Sequence, residues 1–334
     1  MNIHIDKPNL LSIIHSVKND NYKDCMRMLK NNFNIFFSFD KDDIKKFDVL
    51  EKQDVMDWLT QMTTGIGNDN SNPIKWGCKF PEGSLDISSF DAEKLSSIYC
   101  LSKERDSKLE TLARKGNLII ALEGQEIDAL SSLYFDDFQF TEHIFYEISS
   151  WADLEKYTSP CTDIIIADPY LFSSPELYQQ NVYSLIRVLT KRIKNSKVNI
   201  VIFTLKSNHD RLTNTDFEPD WNTIYSKIRK CAEKYSTFNV TFVTASKETL
   251  DEHDRTIFTN YKYFASGDTY NYFNSKGEKI TSGRNLHAHS RVSKVNAKNS
   301  TIFLNDMQQI IDKIKKRNND ALIKKDKKSN FLKF

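Results

Sequence analysis

The chain has 334 residues, with 47 Lys and Arg against 45 Asp and Glu, a net charge of +2, and 39% hydrophobic residues. That length fits two domains or one elaborate one, and 22 Phe and 14 Tyr with only 9 Gly and 7 Pro exclude a disordered or collagen-like chain. The near-neutral balance excludes a uniformly basic nucleic-acid coat and leaves room for a local basic patch.

Five cysteines, Cys25, Cys78, Cys100, Cys161 and Cys231, are too widely spread for a CxxC pair or a disulfide framework. They read as core fillers in a reducing, cytoplasmic setting. The start has no basic segment followed by a long apolar run, so no signal peptide is expected. No apolar run approaches the roughly 18 residues of a spanning helix.

Residues 1–150 read as an α/β region of unknown role. Apolar spacing predicts helices over 10–29, 51–62 and 91–115, strands at 33–37, 118–122 and around 138–148, and a loop over 65–81. From residue 155 the pattern sharpens. Ile164, Ile165, Ile166 and Ala167 form a short, wholly apolar strand that ends at Asp168-Pro169-Tyr170. Ser174-Pro175-Glu176 then opens a helix bearing Val182, Ile186, Leu189 and Ile193 on one face. A strand over 198–204, a helix over 221–235 and an alternating strand over 238–242 complete a β-α-β-α-β run, whose crossovers imply a largely parallel, helix-covered sheet. Further strands are expected at 256–259, 261–265, 279–280 and 286–292, then a helix over 302–314. The end of the chain, 310–334, carries nine Lys and Arg against three Asp and is expected to fray beyond Asn318.

The chemistry concentrates after residue 250. His253 and Arg255 stand two apart at the entry to a predicted strand, so both side chains leave one face. An imidazole beside a guanidinium suits a phosphate: arginine offers a planar fork, and histidine a nucleophile or an acid. Asn271 follows in a nearby turn. The plainer reading of His253 and Arg255 is an ion pair or cap with Asp251, Glu252 or Asp254. Asp168-Pro169-Tyr170 lies where ligands of α/β sheets collect, and its plainer reading is a turn with a packing tyrosine. His287 and His289 form an H-x-H with no third ligand indicated, so no metal is expected.

The spacing resembles that of the phospholipase D superfamily, which reads H-x-K, four residues, D, six residues, then G-S-x-x-N. Here His253-x-Arg255 is followed at the same intervals by Asn260 and by Gly267-Asp268-x-x-Asn271. Lysine has become arginine, the aspartate asparagine, and the serine aspartate. The segment also resembles the phospholipase-D-like C-terminal domain of MIT-domain proteins, which carries an HDR motif, a glycine turn and G-R-x-L. The matching residues are His253-Asp254-Arg255, Ile257, Gly277, Ile280 and Gly283-Arg284-x-Leu286. The resemblance covers 155–300 and explains none of 1–150, where no three-helix MIT module is evident.

The resemblance implies an α/β fold of the phospholipase D type, a mixed, mostly parallel sheet covered by helices over 155–300, followed by a helix and basic tail over 301–334. It implies a degenerate domain that recognises a phosphate-bearing ligand, nucleic acid first, through His253, Arg255, Asn271 and Arg284; Asp268 and, from its place at a strand's end, Tyr170 are further candidate ligand-binding residues. Bacterial relatives of this fold are familiar in phage defence. If the site is active, His253, Arg255, Asn260 and Asn271 are its catalytic set, and a metal-independent phosphodiesterase or nuclease results. Active relatives oppose two motifs, so a single-motif chain would pair as a homodimer across His253. A second HDR at His209-Asp210-Arg211, with Asp216 at the same offset as Asn260, is followed by the polar stretch 212–215 and is not expected to be a second half. Asp268 adds a carboxylate near the anion, repulsive at roughly 4–6 Å unless Arg255 or Arg284 neutralises it; the balance leans to binding without catalysis. The third reading is a membrane-lipid or protein-assembly module, with the tail from Lys313 to Lys333 against an anionic membrane surface. No cofactor is implied.

Overall fold

The computed structural model describes residues 1–16, 22–64, 74–78, 97–102, 119–135, 139–192, 197–210, 215–232, 237–250, 255–280 and 285–334. The chain forms two compact units: Met1–Ala113 with Asn117–Phe140 and Val292–Lys294, and Arg114–Gly116 with Thr141–Arg291 and Val295–Phe334.

The first unit contains β1 (Asn2–Ile5), α1 (Lys7–His15), α2 (Tyr22–Asn32), β2 (Asn34–Phe37), α3 (Val49–Thr63), β3 (Ile98–Cys100), β4 (Ile119–Ala121) and α4 (Glu126–Ser131). Its four strands pair in the order β2-β1-β3-β4, all parallel. Asp6 caps α1 by accepting from the Asn9 N–H, and Pro8 sits in the first turn, where its missing N–H is harmless. The pattern expected to be one helix over 10–29 gives two helices on either side of 17–21. Within the expected helix 91–115 the structure has β3, because Ile98, Tyr99 and Cys100 are consecutively buried, as in a strand covered on both faces. The rest of that expected helix, and most of the expected loop 65–81, lie outside the described residues.

His4 of β1 is stacked between Phe36 (4.8 Å) and Tyr99 (4.5 Å), and burial pushes its pKa down to about 4. The folded state therefore resists protonation that the unfolded chain accepts at about 6.5. This unit is expected to lose stability as pH falls from 6.5 towards 4, by an amount on the order of 3 kcal/mol. Urea melts at pH 7.5 and pH 4.5 check this, and His4→Phe should flatten the difference.

The second unit contains β5 (Thr141–His143), β6 (Asp163–Ala167), α5 (Pro175–Thr190), β7 (Lys197–Leu205), β8 (Asn208–Asp210), β9 (Thr215–Phe217), α6 (Trp221–Arg229), β10 (Thr237–Ala245), β11 (Arg255–Thr259), β12 (Lys262–Ser266), β13 (Leu286–Ser290), α7 (Lys294–Lys316) and β14 (Ile323–Lys325). Eight strands make one mixed sheet in the order β14-β10-β7-β6-β11-β12-β13-β5, and β8 and β9 form a separate hairpin. The fold is α/β, with a large mixed sheet covered by helices.

The sheet is not mostly parallel. Only β6, β7 and β10, joined by the crossover helices α5 and α6, pair in parallel. Every other neighbour is antiparallel. The short Asn260-Tyr261 link between β11 and β12 permits only a hairpin, since a parallel pair needs a crossover of a dozen or more residues. One face carries Ile165, Val201, Phe203, Val243 and Phe258 against Met307, Ile310, Ile311 and Ile314 of α7. On the other face, Trp221 at the start of α6 packs at 5.1 Å from Phe242 and 5.5 Å from Phe172.

The unit reaches beyond 155–300 at both ends, taking in β5 and β14. The tail does not fray after Asn318: β14 pairs with β10 at the sheet edge, and Leu332 is buried in the core. Its lysine cluster at 324–328 lies between the apolar pairs Leu322-Ile323 and Phe331-Leu332 that hold it down, so the charge count hid a docked strand. Of the five free cysteines four are buried, and burial pushes the Cys25 thiol up to about 12, which suits fillers. Among the described residues no helix is long and apolar enough to cross a membrane.

Candidate functional site

The antiparallel register of β6 and β11 sets Thr256 opposite Ala167, so Arg255 arrives beside Asp168, just past the end of β6. The same strand entry faces Ser266 at the end of β12. These residues share the carboxyl edge of the parallel strands, the ordinary ligand edge of an open α/β sheet.

Asp168 organises this edge. Its buried carboxylate accepts the Tyr170 N–H (3.0 Å) on Oδ1, and the Thr269 hydroxyl (2.7 Å) and Tyr270 N–H (2.9 Å) on Oδ2. Burial raises its pKa, opposed first by the Thr269 hydrogen bond and least by the charge of Arg255. Arg255 donates from Nη1 to the Gly267 carbonyl at 2.7 Å, and its guanidinium lies 5.8 Å from the centre of the Tyr170 ring, within cation–π range. The Tyr270 hydroxyl donates to the carbonyls of Arg255 (3.0 Å) and Phe264 (2.9 Å), fixing the strand entry.

Asn271 joins the same turn. Its Nδ2 donates to the carbonyls of Leu171 (3.2 Å) and Tyr170 (3.4 Å), while its Oδ1 is buried with no hydrogen-bond partner. Asp268 follows Gly267, and its backbone N–H donates to the Ser266 hydroxyl at 3.0 Å. Arg255, Tyr170 and Asn271 therefore meet at this turn, and the backbone of Asp268 adjoins it through Ser266. His253 and Arg284 lie outside the described residues.

Asn260 belongs elsewhere. It follows the far end of β11, five strand positions from Arg255 at about 3.3 Å each. Its Oδ1 accepts the N–H groups of Thr162 (2.9 Å) and Asp163 (3.2 Å), and its Nδ2 donates to the Thr162 hydroxyl (3.2 Å). This buried amide anchors the start of β6, and its catalytic assignment is corrected to a structural one. His209 of the second HDR sits on the separate β8–β9 hairpin, its Nδ1 2.9 Å from Asp216 Oδ1, both exposed. His287 and His289 occupy the sheet face opposite Arg255, since Leu286 is the β13 residue that pairs with Ser266. His287 stacks on His143 at 4.8 Å and His289 on Tyr263 at 4.3 Å, and burial pushes His289 down to about 4. Among the described residues no group of three His, Cys, Asp or Glu could hold a metal ion.

No family model, no curated protein and no solved structure matches the chain. The chemistry of the edge is therefore carried by its residues alone: a guanidinium on an aromatic plate, hydroxyl groups beside it, and a buried carboxylate that holds the turn in place.

Sequence reasoning missed Thr269, Tyr270 and Ser266, which build this edge. The run Thr269-Tyr270-Asn271-Tyr272 carries three hydroxyls around the recognised asparagine, and that density was the available signal. It also missed Lys262, buried at the start of β12 and pushed down to about 7 by burial. In the first unit it missed Asp6, whose carboxylate accepts from Asn9 Nδ2 (2.6 Å) and from the Ser102 N–H and hydroxyl (2.8 Å each) where β1 and β3 end.

Proposed function

We propose that the mixed-sheet unit is a degenerate phospholipase-D-like domain that binds a phosphate-bearing ligand, nucleic acid first, at the edge formed by Arg255, Tyr170 and Asn271. The observation that carries this reading is the meeting of these three residues on the turn that Asp168 holds. Arginine is the side chain suited to a planar, two-point grip on phosphate. An aromatic ring under that arginine adds a stacking surface, as single-stranded nucleic acid sites use. Supporting it is the resemblance of 155–300 to the phospholipase D superfamily, which also makes bacterial defence the cellular setting we propose.

Fluorescence anisotropy with labelled single-stranded DNA and RNA tests the reading. Arg255→Ala is expected to weaken binding about ten- to a hundredfold, the worth of one or two charge-assisted hydrogen bonds. Arg255→Lys should recover part of it, because a lysine keeps the charge but loses the fork. Wild-type protein that binds neither strand sinks the nucleic-acid reading. Cleavage of the probe by wild type, abolished in His253→Ala, would replace binding with phosphodiesterase chemistry.

A further inference from the structure

A cluster of four cations lines a cavity further along the same carboxyl edge, and neither Arg255 nor Tyr170 is among its lining residues. Where β7 and β10 end, a cavity of about 460 Å³ is lined by Lys206, Lys247, Lys313 and Arg317, and also by the hydroxyl residues Ser207, Ser246 and Thr249. Leu205, Ala245, Ile314 and Leu322 supply apolar lining. The four cations come from three separate segments: the turn after β7, the turn after β10, and the end of α7.

Two of the four cations have an ordinary explanation. Lys313 and Arg317 sit at the carboxyl end of α7, where positive charge suits the helix dipole. That account does not extend to Lys206 and Lys247, which follow strands. Glu218 is pulled down chiefly by its hydrogen bond to Lys324 and only last by the charge of Lys206. Among the described residues lining the cavity none is a carboxylate. Four like charges around one cavity repel, and a multiply charged anion relieves that repulsion.

The backbone around the site is fixed. The Lys206 N–H donates to the Ala245 carbonyl at 3.0 Å, joining the two strand ends. The Thr249 and Leu250 N–H groups both donate to the Ser246 carbonyl, at 3.0 and 3.1 Å. After α7, Asn318 takes a left-handed conformation (φ 51°), and the Asn319 N–H returns to the Ile314 carbonyl at 3.2 Å. The position is again the carboxyl edge of parallel strands.

We propose that this cavity binds a small ligand carrying two or more adjacent phosphates, of the nucleoside polyphosphate or inorganic polyphosphate class, with Lys206, Lys247, Lys313 and Arg317 on the phosphates. The volume suits one nucleotide and is too small for a duplex. Isothermal titration of the full chain with inorganic tripolyphosphate, ATP and adenosine tests it, with a single-stranded oligonucleotide as a fourth ligand. Tripolyphosphate should bind and adenosine should not. Tighter binding of ATP than of tripolyphosphate would assign the nucleotide as the source, and the reverse inorganic polyphosphate. The Lys206→Ala/Lys247→Ala double variant should weaken tripolyphosphate binding at least about tenfold, Lys313→Glu should do the same, and Arg255→Ala should leave it unchanged. Unaltered melting of each variant shows that folding is not the cause. No binding of tripolyphosphate or ATP to wild type overturns the proposal, as does binding that survives both cavity variants. Oligonucleotide binding lost in the double variant, without any binding of tripolyphosphate, would overturn it in favour of a nucleic-acid track.

Discussion

Deleting residues 329–334 should destabilise the mixed-sheet unit by about 5 kcal/mol and lower its melting temperature by roughly 10–20 °C. Two losses add up. Leu332 is 4% exposed and packs into the core beneath α7, with Phe331 and Phe334 against the same cluster and the Phe331 ring 5.0 Å from that of Phe258. Burying one leucine is worth about 2–3 kcal/mol. The second loss is electrostatic. Asp163 at the start of β6 is wholly buried, and its carboxylate accepts the Ser329 hydroxyl (2.9 Å), the Asn330 N–H (2.7 Å) and Asn330 Nδ2 (2.5 Å). Removing those donors leaves the buried charge to the weaker hydrogen bonds from Asn199 Nδ2, 3.4 Å from each oxygen.

The sign of the pH dependence follows from Asp163. Burial raises its pKa to about 6, against the hydrogen bonds from Asn330, Ser329 and Asn199. The folded state therefore holds a proton more readily than the unfolded chain, and this group's contribution to stability falls as pH rises from about 4 through 6. The deletion leaves the charged form worse supported, so its effect should be larger at pH 8 than at pH 5. Asp163→Ala removes the charge, and the same deletion in that background should cost less; the double-mutant cycle measures the coupling. Equal losses at both pH values and in both backgrounds would show that the tail acts through Leu332 and the two phenylalanines alone.

Asp168→Ala should be the most damaging single change near the candidate edge, destabilising by about 3–5 kcal/mol. It strips the acceptor from two backbone N–H groups and a hydroxyl at once, in a position with no access to water. The turn carrying Tyr170 and the run Thr269–Tyr270 then lose their common anchor, so any ligand held by Arg255 should be lost with them. Asp168→Asn keeps one acceptor oxygen and should fall between the two. Chemical denaturation of the three proteins, read alongside ligand binding, checks both effects. A variant Asp168→Ala that melts like wild type would remove Asp168 from its organising place.

Much of the second unit was legible in the sequence because its strands are short apolar runs between helices with one apolar face. Ile164 to Ala167, and the alternation at Phe238, Val240 and Phe242, land on β6 and β10. The antiparallel half was less legible, since local pattern does not say which neighbour a strand will take. The tail misled because its nine basic residues drew attention to charge, while the interactions that hold it are long-range, from Asn330 to Asp163 and from Ile323 to Val243. The resemblance singled out Arg255 and Asn271, which lie at one edge, and Asn260, which lies at the other end of β11. A residue five positions along an extended strand cannot return to the edge where the strand began.

The proposed grip of Arg255 on phosphate should show in the salt dependence of binding. Association constants for a single-stranded oligonucleotide, measured over a range of salt concentrations for wild type and Arg255→Ala, give two slopes of log K against log salt. The wild-type slope should be steeper by about 0.7 for each phosphate that Arg255 neutralises and the alanine variant does not. Equal slopes, with or without a change in affinity, would contradict it, because Arg255 would then touch no phosphate.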